Sequence, residues 1–220
     1  MLASLFILLF YIGTLKGCYY KSMTIAFATS NKHKLAEVRA ILFPYGIKVL
    51  GLSDLNLNLD GVNENGATYE KNALIKAKAL SDKVKIPVVA DDSGLEIVSL
   101  NYGPGLKSAR YAEERGGHAK AMKEILQKIE GKNRSARFVC SIAYIDENKI
   151  EHIFHGVSDG HISSFIHGGQ GFGYDPIFVP KEYKEKAFSE LGDEIKNKIS
   201  HRARALLNLV DYLKTLDSFQ

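Results

Sequence analysis

From Met23 onward, short apolar runs alternate with segments whose apolar residues recur every three or four positions. Such a chain can only lay strands beside helices, so its class is mixed α/β. Thr24–Ser30 is predicted as a strand. Asn31–Phe43 is predicted as a helix with Leu35, Val38, Ile41 and Leu42 on one face, stopped by Pro44 and Gly46. Ile47–Leu50 reads as a second strand and 54–65 as a polar loop. Thr68–Val84 carries Tyr69, Ala73, Ala77 and Leu80 at helical spacing. Pro87–Ala90 and Leu95–Leu100 are predicted as two separate short strands, followed by a turn at Gly103-Pro104-Gly105. Gly117–Ile129 is an amphipathic helix. Arg137–Ile145 and Glu151–Val157 form a hairpin, Ile162–Ile166 a further strand, Gly168–Gly173 a loop, and Ser200–Leu216 the last helix. There is no internal repeat and no linker. The expectation is one α/β domain with an elongated mixed β-sheet, flanking helices and two lobes.

Length and composition agree. At roughly 150 residues per domain, 220 residues make one domain with a lobe. A chain that is 45% hydrophobic and 25% charged is neither disordered nor of low complexity. A net charge of +4 is too weak to argue for a nucleic-acid partner, but suits a small polyanion. Two cysteines, Cys18 and Cys140, make neither a disulfide framework nor a cysteine zinc site. A reducing, cytoplasmic setting is expected. Residues 2–15 are uncharged, but the run is shorter than the ~20 residues a membrane helix needs. No stable membrane association is expected. The segment 1–22 reads as an export or anchor segment, a packed extension, or a translation-start artefact. The last is favoured, with the folded domain at 23–220, because a strand and then the chemistry begin at Met23.

Several clusters carry chemistry. Thr29, Ser30, Asn31, Lys32, His33 and Lys34 stand where the first strand becomes the first helix. A helix N-terminus with added lysines cradles phosphate; the plain alternative is an Asn cap on a basic turn. Asp91-Asp92-Ser93-Gly94 follows Pro-Val-Val-Ala. Adjacent carboxylates at a strand end repel one another unless a cation or basic group relieves them, and Mg²⁺ does this well; the alternative is a polar turn. Glu64 is a candidate second metal carboxylate, whereas Glu70 fits a first helical turn. In Gly169–Pro176, Phe172 and Tyr174 offer stacking surface, Gly173 close approach, and Asp175 an acceptor for a base edge; the alternative is a tight hairpin connection. Lys196, His201 and Arg202 form a basic cluster whose donors suit purine carbonyls or phosphate; the plain alternative is a solvated helix face.

Taken in order, Thr29–Lys34, Glu64-x-x-x-Thr68-Tyr69-x-x-Asn72-Ala73-x-x-Lys76-Ala77, Asp91–Leu95, Ser108-Ala109-Arg110-Tyr111, Gly171–Pro176 and Ile199–Arg202 resemble the inosine triphosphate pyrophosphatase family. The resemblance spans about residues 24–214. It implies an elongated α/β fold with the site in a cleft between two lobes, and a Mg²⁺-dependent homodimer. It implies that Thr29–Lys34 hold the phosphates of a purine nucleoside triphosphate, that Glu64 and Asp92 bind metal, and that Asp92 accepts a proton from water. Ser93, Phe172, Gly173, Tyr174, Asp175, Lys196, His201 and Arg202 would contact the nucleotide. One departure is Gln170, which stands where the family often has glycine and is expected to stiffen the loop.

The reaction implied is conversion of a noncanonical purine triphosphate (ITP, dITP, XTP) to monophosphate and pyrophosphate, cleansing the nucleotide pool. His201 and Arg202 are expected to donate to the C6 carbonyl and to reject adenine. Two alternatives stand beside this reading. A Maf-like pyrophosphatase for pyrimidine or modified triphosphates is disfavoured by His201-Arg202 and the Phe-Gly-Tyr-Asp core. A non-catalytic nucleotide sensor is disfavoured by the intact acids Glu64, Asp91 and Asp92.

Overall fold

The computed structural model describes residues 23–216. The segment 1–22, with its three readings, lies outside the described residues. β1 (Met23–Phe27) and β2 (Ile47–Gly51) flank α1 (Lys32–Leu42). α2 (Tyr69–Ser81) leads to β3 (Val88–Ile97). β4 (Gly103–Pro104), α3 (Ser108–Glu114) and α4 (His118–Lys128) follow. β5 (Ser135–Ile145) and β6 (Glu151–Ile162) are the long hairpin. β7 (Phe178–Pro180), α5 (Phe188–Ile199) and α6 (His201–Leu213) complete the domain.

The strands make one mixed sheet in the order β2-β1-β3-β5-β6-β7, with the short β4 also on β3. β1 runs parallel to β2 and β3, as a strand–helix–strand crossover demands. The remaining pairs are antiparallel. β3, β5 and β6 are long enough to serve two lobes. In the first, α1 and α6 pack on one face, burying Ile25, Phe27, Val89, Ile142, Leu206 and Leu209. α2 packs on the other face over Ala26, Val88, Ala90 and Ala143. In the second, α3, α4 and α5 close over the far ends of the strands, around Leu95, Phe138, Ile125, Phe178 and Phe188. Each fully buried large apolar side chain contributes about 1.5–3 kcal/mol.

The clearest correction concerns Asp91–Gly94. These residues form no turn between two strands; they lie inside one ten-residue strand, β3. β5 pairs with it without interruption from Val88 to Ile97, with Asp91 opposite Ile142 and Asp92 opposite Ser141. This continuous ladder overrides the local turn preference of Asp-Ser-Gly. Gly94 is needed because a Cβ there would stand 2.2 Å from the Gly105 carbonyl oxygen. Two smaller corrections follow. The strand predicted at 162–166 is absent, since β6 itself runs to Ile162. Gly103–Pro104 is not a free turn but pairs with Glu96 and Ile97.

Candidate active site

β1 contacts β3 only at Val88 and Val89, and β4 contacts it only at Glu96 and Ile97. Between them, Asp91–Gly94 have a strand partner on the β5 side alone. The chain leaving β1 turns into α1 at this notch, so a helix N-terminus faces an open strand edge. That is the crevice at strand carboxyl ends where α/β folds seat ligands.

Alternation along β3 sends Asp91 and Asp92 to opposite faces of the sheet. Asp91 points to the α1/α6 face and is fully buried. It accepts from Arg202 Nη2 at 2.8 Å and Nε at 3.1 Å, and pairs with Lys34 Nζ at 3.1 Å. Burial opposes its charge, but Lys34, Arg202 and Lys76 overcome that and hold the carboxyl far below its usual range. Asp92 points to the α2 face, where Asn72 Nδ2 donates to it at 3.0 Å. Lys76 Nζ lies 3.8 Å from Asp92 and 2.5 Å from Glu64. Here burial wins, and the Asp92 carboxyl is pushed above its usual range despite Lys76 and Asn72. Lys76 stays charged, since Asp91, Asp92 and Glu64 together outweigh its burial.

Asn31 caps α1, with Oδ1 accepting from His33 N at 2.9 Å and Lys34 N at 3.1 Å. Thr29 Oγ1 braces the turn by accepting from Asn31 N. Ser30 and Lys32 are exposed beside it. The cap satisfies two amides internally. The helix dipole, the Ser30 hydroxyl and the lysines are what remain for an anion.

On the α1/α6 face the buried charges form a chain. Arg202 also pairs with Glu37 and donates to Ser93 Oγ at 3.2 Å. Glu37 in turn pairs with Lys196 at 2.6 Å, and Lys196 with Asp175 at 2.6 Å. Asp175 accepts from the Phe172 amide at 2.8 Å. Three acids and three cations therefore alternate from Lys34 to the 172–175 loop. Arg202 and Lys196 draw Glu37 down despite its burial.

This arrangement alters three expected roles. Arg202 holds Asp91, Glu37 and Ser93 rather than lying free for a base edge, because buried acids need a buried cation. Asp175 is occupied by Lys196 and its own loop amide. Tyr174 offers no stacking face: it is 3% exposed, donates to the Ser108 carbonyl at 2.8 Å and packs edge-on against His118. Phe172, by contrast, is half-buried at the notch. His33 stacks on it at 5.2 Å, and Lys196 Nζ lies 4.4 Å from its ring centre. His201 is buried, stacked on Phe138 at 4.7 Å, and its Nδ1 has no hydrogen-bond partner. Burial and the neighbouring Arg202 and Lys196 push it well below the usual histidine range, so it is neutral.

Gln170 does not disturb the loop. Gly169, Gly171 and Gly173 take positive φ, whereas Gln170 is absent from the residues that do. A Cβ at Gly171 would meet Asp175 Oδ2 at 2.6 Å. Glycine is thus required on either side of Gln170 and not at it.

The sequence model of the Ham1 family matches residues 25–212. This chain belongs to the Ham1 family. Among Ham1-like relatives, it is 40% identical over 196 residues to a dITP/XTP pyrophosphatase of Oceanobacillus iheyensis, covering 87% of this chain and 98% of that one. It is 42% identical over 192 residues to a dITP/XTP pyrophosphatase of Flavobacterium johnsoniae, covering 87% and 98%. A solved HAM1 protein from Coxiella burnetii superposes with a TM-score of 0.77 at 37% identity, over 88% of this chain and 100% of that chain. The Ham1 protein of Staphylococcus aureus gives 0.76 at 37% identity, over 87% and 98%. The resemblance to the triphosphate pyrophosphatase family and the mixed α/β class therefore stand.

Within this Ham1 site, two residues escaped the sequence reading of roles. Glu37, beside the apolar stripe of α1, is buried and joins Arg202 to Lys196. Asn72 joins Asp92 to the Glu64 segment, because its Oδ1 accepts from Gly66 N at 2.8 Å while its Nδ2 donates to Asp92. Its place in the Thr68-Tyr69-x-x-Asn72-Ala73 stretch was the available signal.

Proposed function

We propose that this chain hydrolyses noncanonical purine nucleoside triphosphates (dITP, ITP and XTP) to the monophosphate and pyrophosphate. The observation that carries this reading is the placement of Asp92: a carboxylate fixed in a strand at an open edge, with Asn72 Nδ2 donating to it and Lys76 beside it, near a lysine-bearing helix N-terminus. The relatives' activity supports the substrate class.

Asp92, oriented by Asn72 Nδ2, takes the proton of the water that attacks the phosphorus next to the nucleoside, as pyrophosphate leaves. Lys34 and the α1 N-terminus hold phosphate oxygens; Lys76 neutralises charge on the other face. Arg202 keeps Asp91 ionised, and so keeps Lys34 in place. Phe172 offers the base a ring face. His201, neutral, offers one N–H toward a C6 carbonyl.

The donor set also suits Mg²⁺. Glu64 and Asp92 converge on one ammonium, so both reach a common cation position. No cluster of three or more metal-binding side chains occurs among the described residues. That matches an ion held by one or two carboxylates together with substrate phosphates. Glu64 and Asp92 would hold the ion, whose charge would help neutralise the triphosphate. The family resemblance supports a homodimer working in the cytoplasm. No helix among the described residues is long and apolar enough to cross a membrane.

The deciding experiment measures pyrophosphate release from dITP, XTP, ATP and dTTP, with and without Mg²⁺. Preference for dITP and XTP supports the reading. Preference for dTTP, or nucleotide binding without turnover, overturns it.

A further inference from the structure

Arg110 lies in the Ser-Ala-Arg-Tyr stretch, which the proposed reaction leaves without a task. It stands on the exposed side of α3, while Ser108 and Ala112 on the same helix are buried. Its guanidinium crosses the cleft and donates from Nη2 to the backbone carbonyl of Glu64. The residue it grips belongs to the segment 52–68, which has neither helix nor strand to hold it.

The helix that carries Arg110 is firmly seated. Ser108 Oγ accepts from Leu95 N at 2.9 Å and donates to the Gly105 carbonyl at 2.6 Å. Leu95 is three residues beyond Asp92 on the same strand. The Ser108 carbonyl accepts from Tyr174 at 2.8 Å. α3 is thus tied to the strand bearing the reacting acid and to the 172–175 loop. Glu64 itself is held at two points: Lys76 on its carboxylate and Arg110 on its carbonyl.

We infer that Arg110 is a positioning residue: it clamps the Glu64 segment to α3 and so sets where the Glu64 carboxylate stands relative to Asp92. This rests on the metal reading above for its consequence, although not for the clamp itself. A group that orients a metal ligand typically changes metal affinity or activity by about 10–100-fold when removed.

Two measurements test the inference. Hydrogen–deuterium exchange of the nucleotide-free protein, wild type against Arg110→Ala, reads the segment 57–66 directly. Titration with Mn²⁺ alone, followed by electron paramagnetic resonance, reads the carboxylate pair without turnover. Arg110→Ala should exchange faster at 57–66 and weaken Mn²⁺ binding by about tenfold or more, with the dITP-to-ATP preference unchanged. Arg110→Lys, which keeps a donor on a less suitable stem, should fall between the two. Unchanged exchange in Arg110→Ala overturns the clamp whatever the metal does. Faster exchange with unchanged Mn²⁺ affinity overturns the positioning role. Wild-type turnover indifferent to Mg²⁺ overturns the metal reading instead, and the exchange result still decides the clamp.

Discussion

Asp91 and Asp92 are neighbours in sequence whose carboxylates occupy opposite faces of the sheet, one sealed against Arg202 and Lys34, the other open beside Asn72 and Lys76. Their different surroundings separate two jobs that a loop would have mixed. Asp92→Asn keeps shape and loses basicity, so kcat should fall by at least about a hundredfold with stability little changed. Asp91→Asn leaves Arg202 and Lys34 facing a neutral amide in a buried site. Breaking such a pair costs about 3–5 kcal/mol, so urea unfolding should show the larger loss there. Equal stability losses in the two variants, or near-normal kcat in folded Asp92→Asn, would overturn this division.

Glu37 joins the two cations that serve opposite ends of the notch. Glu37→Gln should destabilise the fold by about 3–5 kcal/mol, because Lys196 and Arg202 then share one acid fewer. Lys196 loosens, and with it Asp175 and the Phe172 amide. KM for dITP should rise more than kcat falls. A variant of wild-type stability with unchanged KM would show that the chain of charges is not continuous in solution.

His201 gives a stability effect with a definite sign. Its pKa is lowered well below the ordinary 6.5 in the folded protein. Below pH 6.5 the unfolded chain gains a proton that the folded one refuses. Stability therefore falls as the pH drops from 6.5 toward the folded value, by up to about 1.4 kcal/mol per pH unit. His201→Gln should flatten that slope. Urea unfolding of both proteins at pH 7.5, 6.5 and 5.5 checks it, and parallel slopes would contradict it.

The glycine loop makes a paired expectation. Gly171→Ala forces a Cβ onto Asp175 at a φ of +115°, a strain of about 1–3 kcal/mol. KM should rise roughly tenfold. Gln170→Gly should leave KM and stability nearly unchanged, because position 170 takes no special conformation. Kinetics of both variants with dITP decide the matter.

Much of this was legible in the sequence where a pattern is local. The first helix and its Asn31 cap, the second helix behind Thr68, and the hairpin all emerge from spacing alone, to within a few residues. What failed was set by distant partners. Asp-Ser-Gly reads as a turn until the ladder to β5 is known. α3 is only seven residues long, too short to show a period, and α5 is broken by Gly192 at φ 72°. Arg202 and Tyr174 looked available because a chain cannot reveal which of its polar or aromatic groups will be consumed by folding. Glu37 was invisible for the converse reason, since acids on helices are most often solvated.

A carboxylate carried in mid-strand, as Asp92 is, has little compliance. Shifting Asp92 by even one position would slide the whole ladder and turn its side chain to the other face. Asp92 therefore has little room to move, and accommodation must come from the parts around it: the 52–68 segment, the α1 turn and the glycine loop. Changes in which bases such a site accepts would therefore fall on those margins while Asp92 stays put.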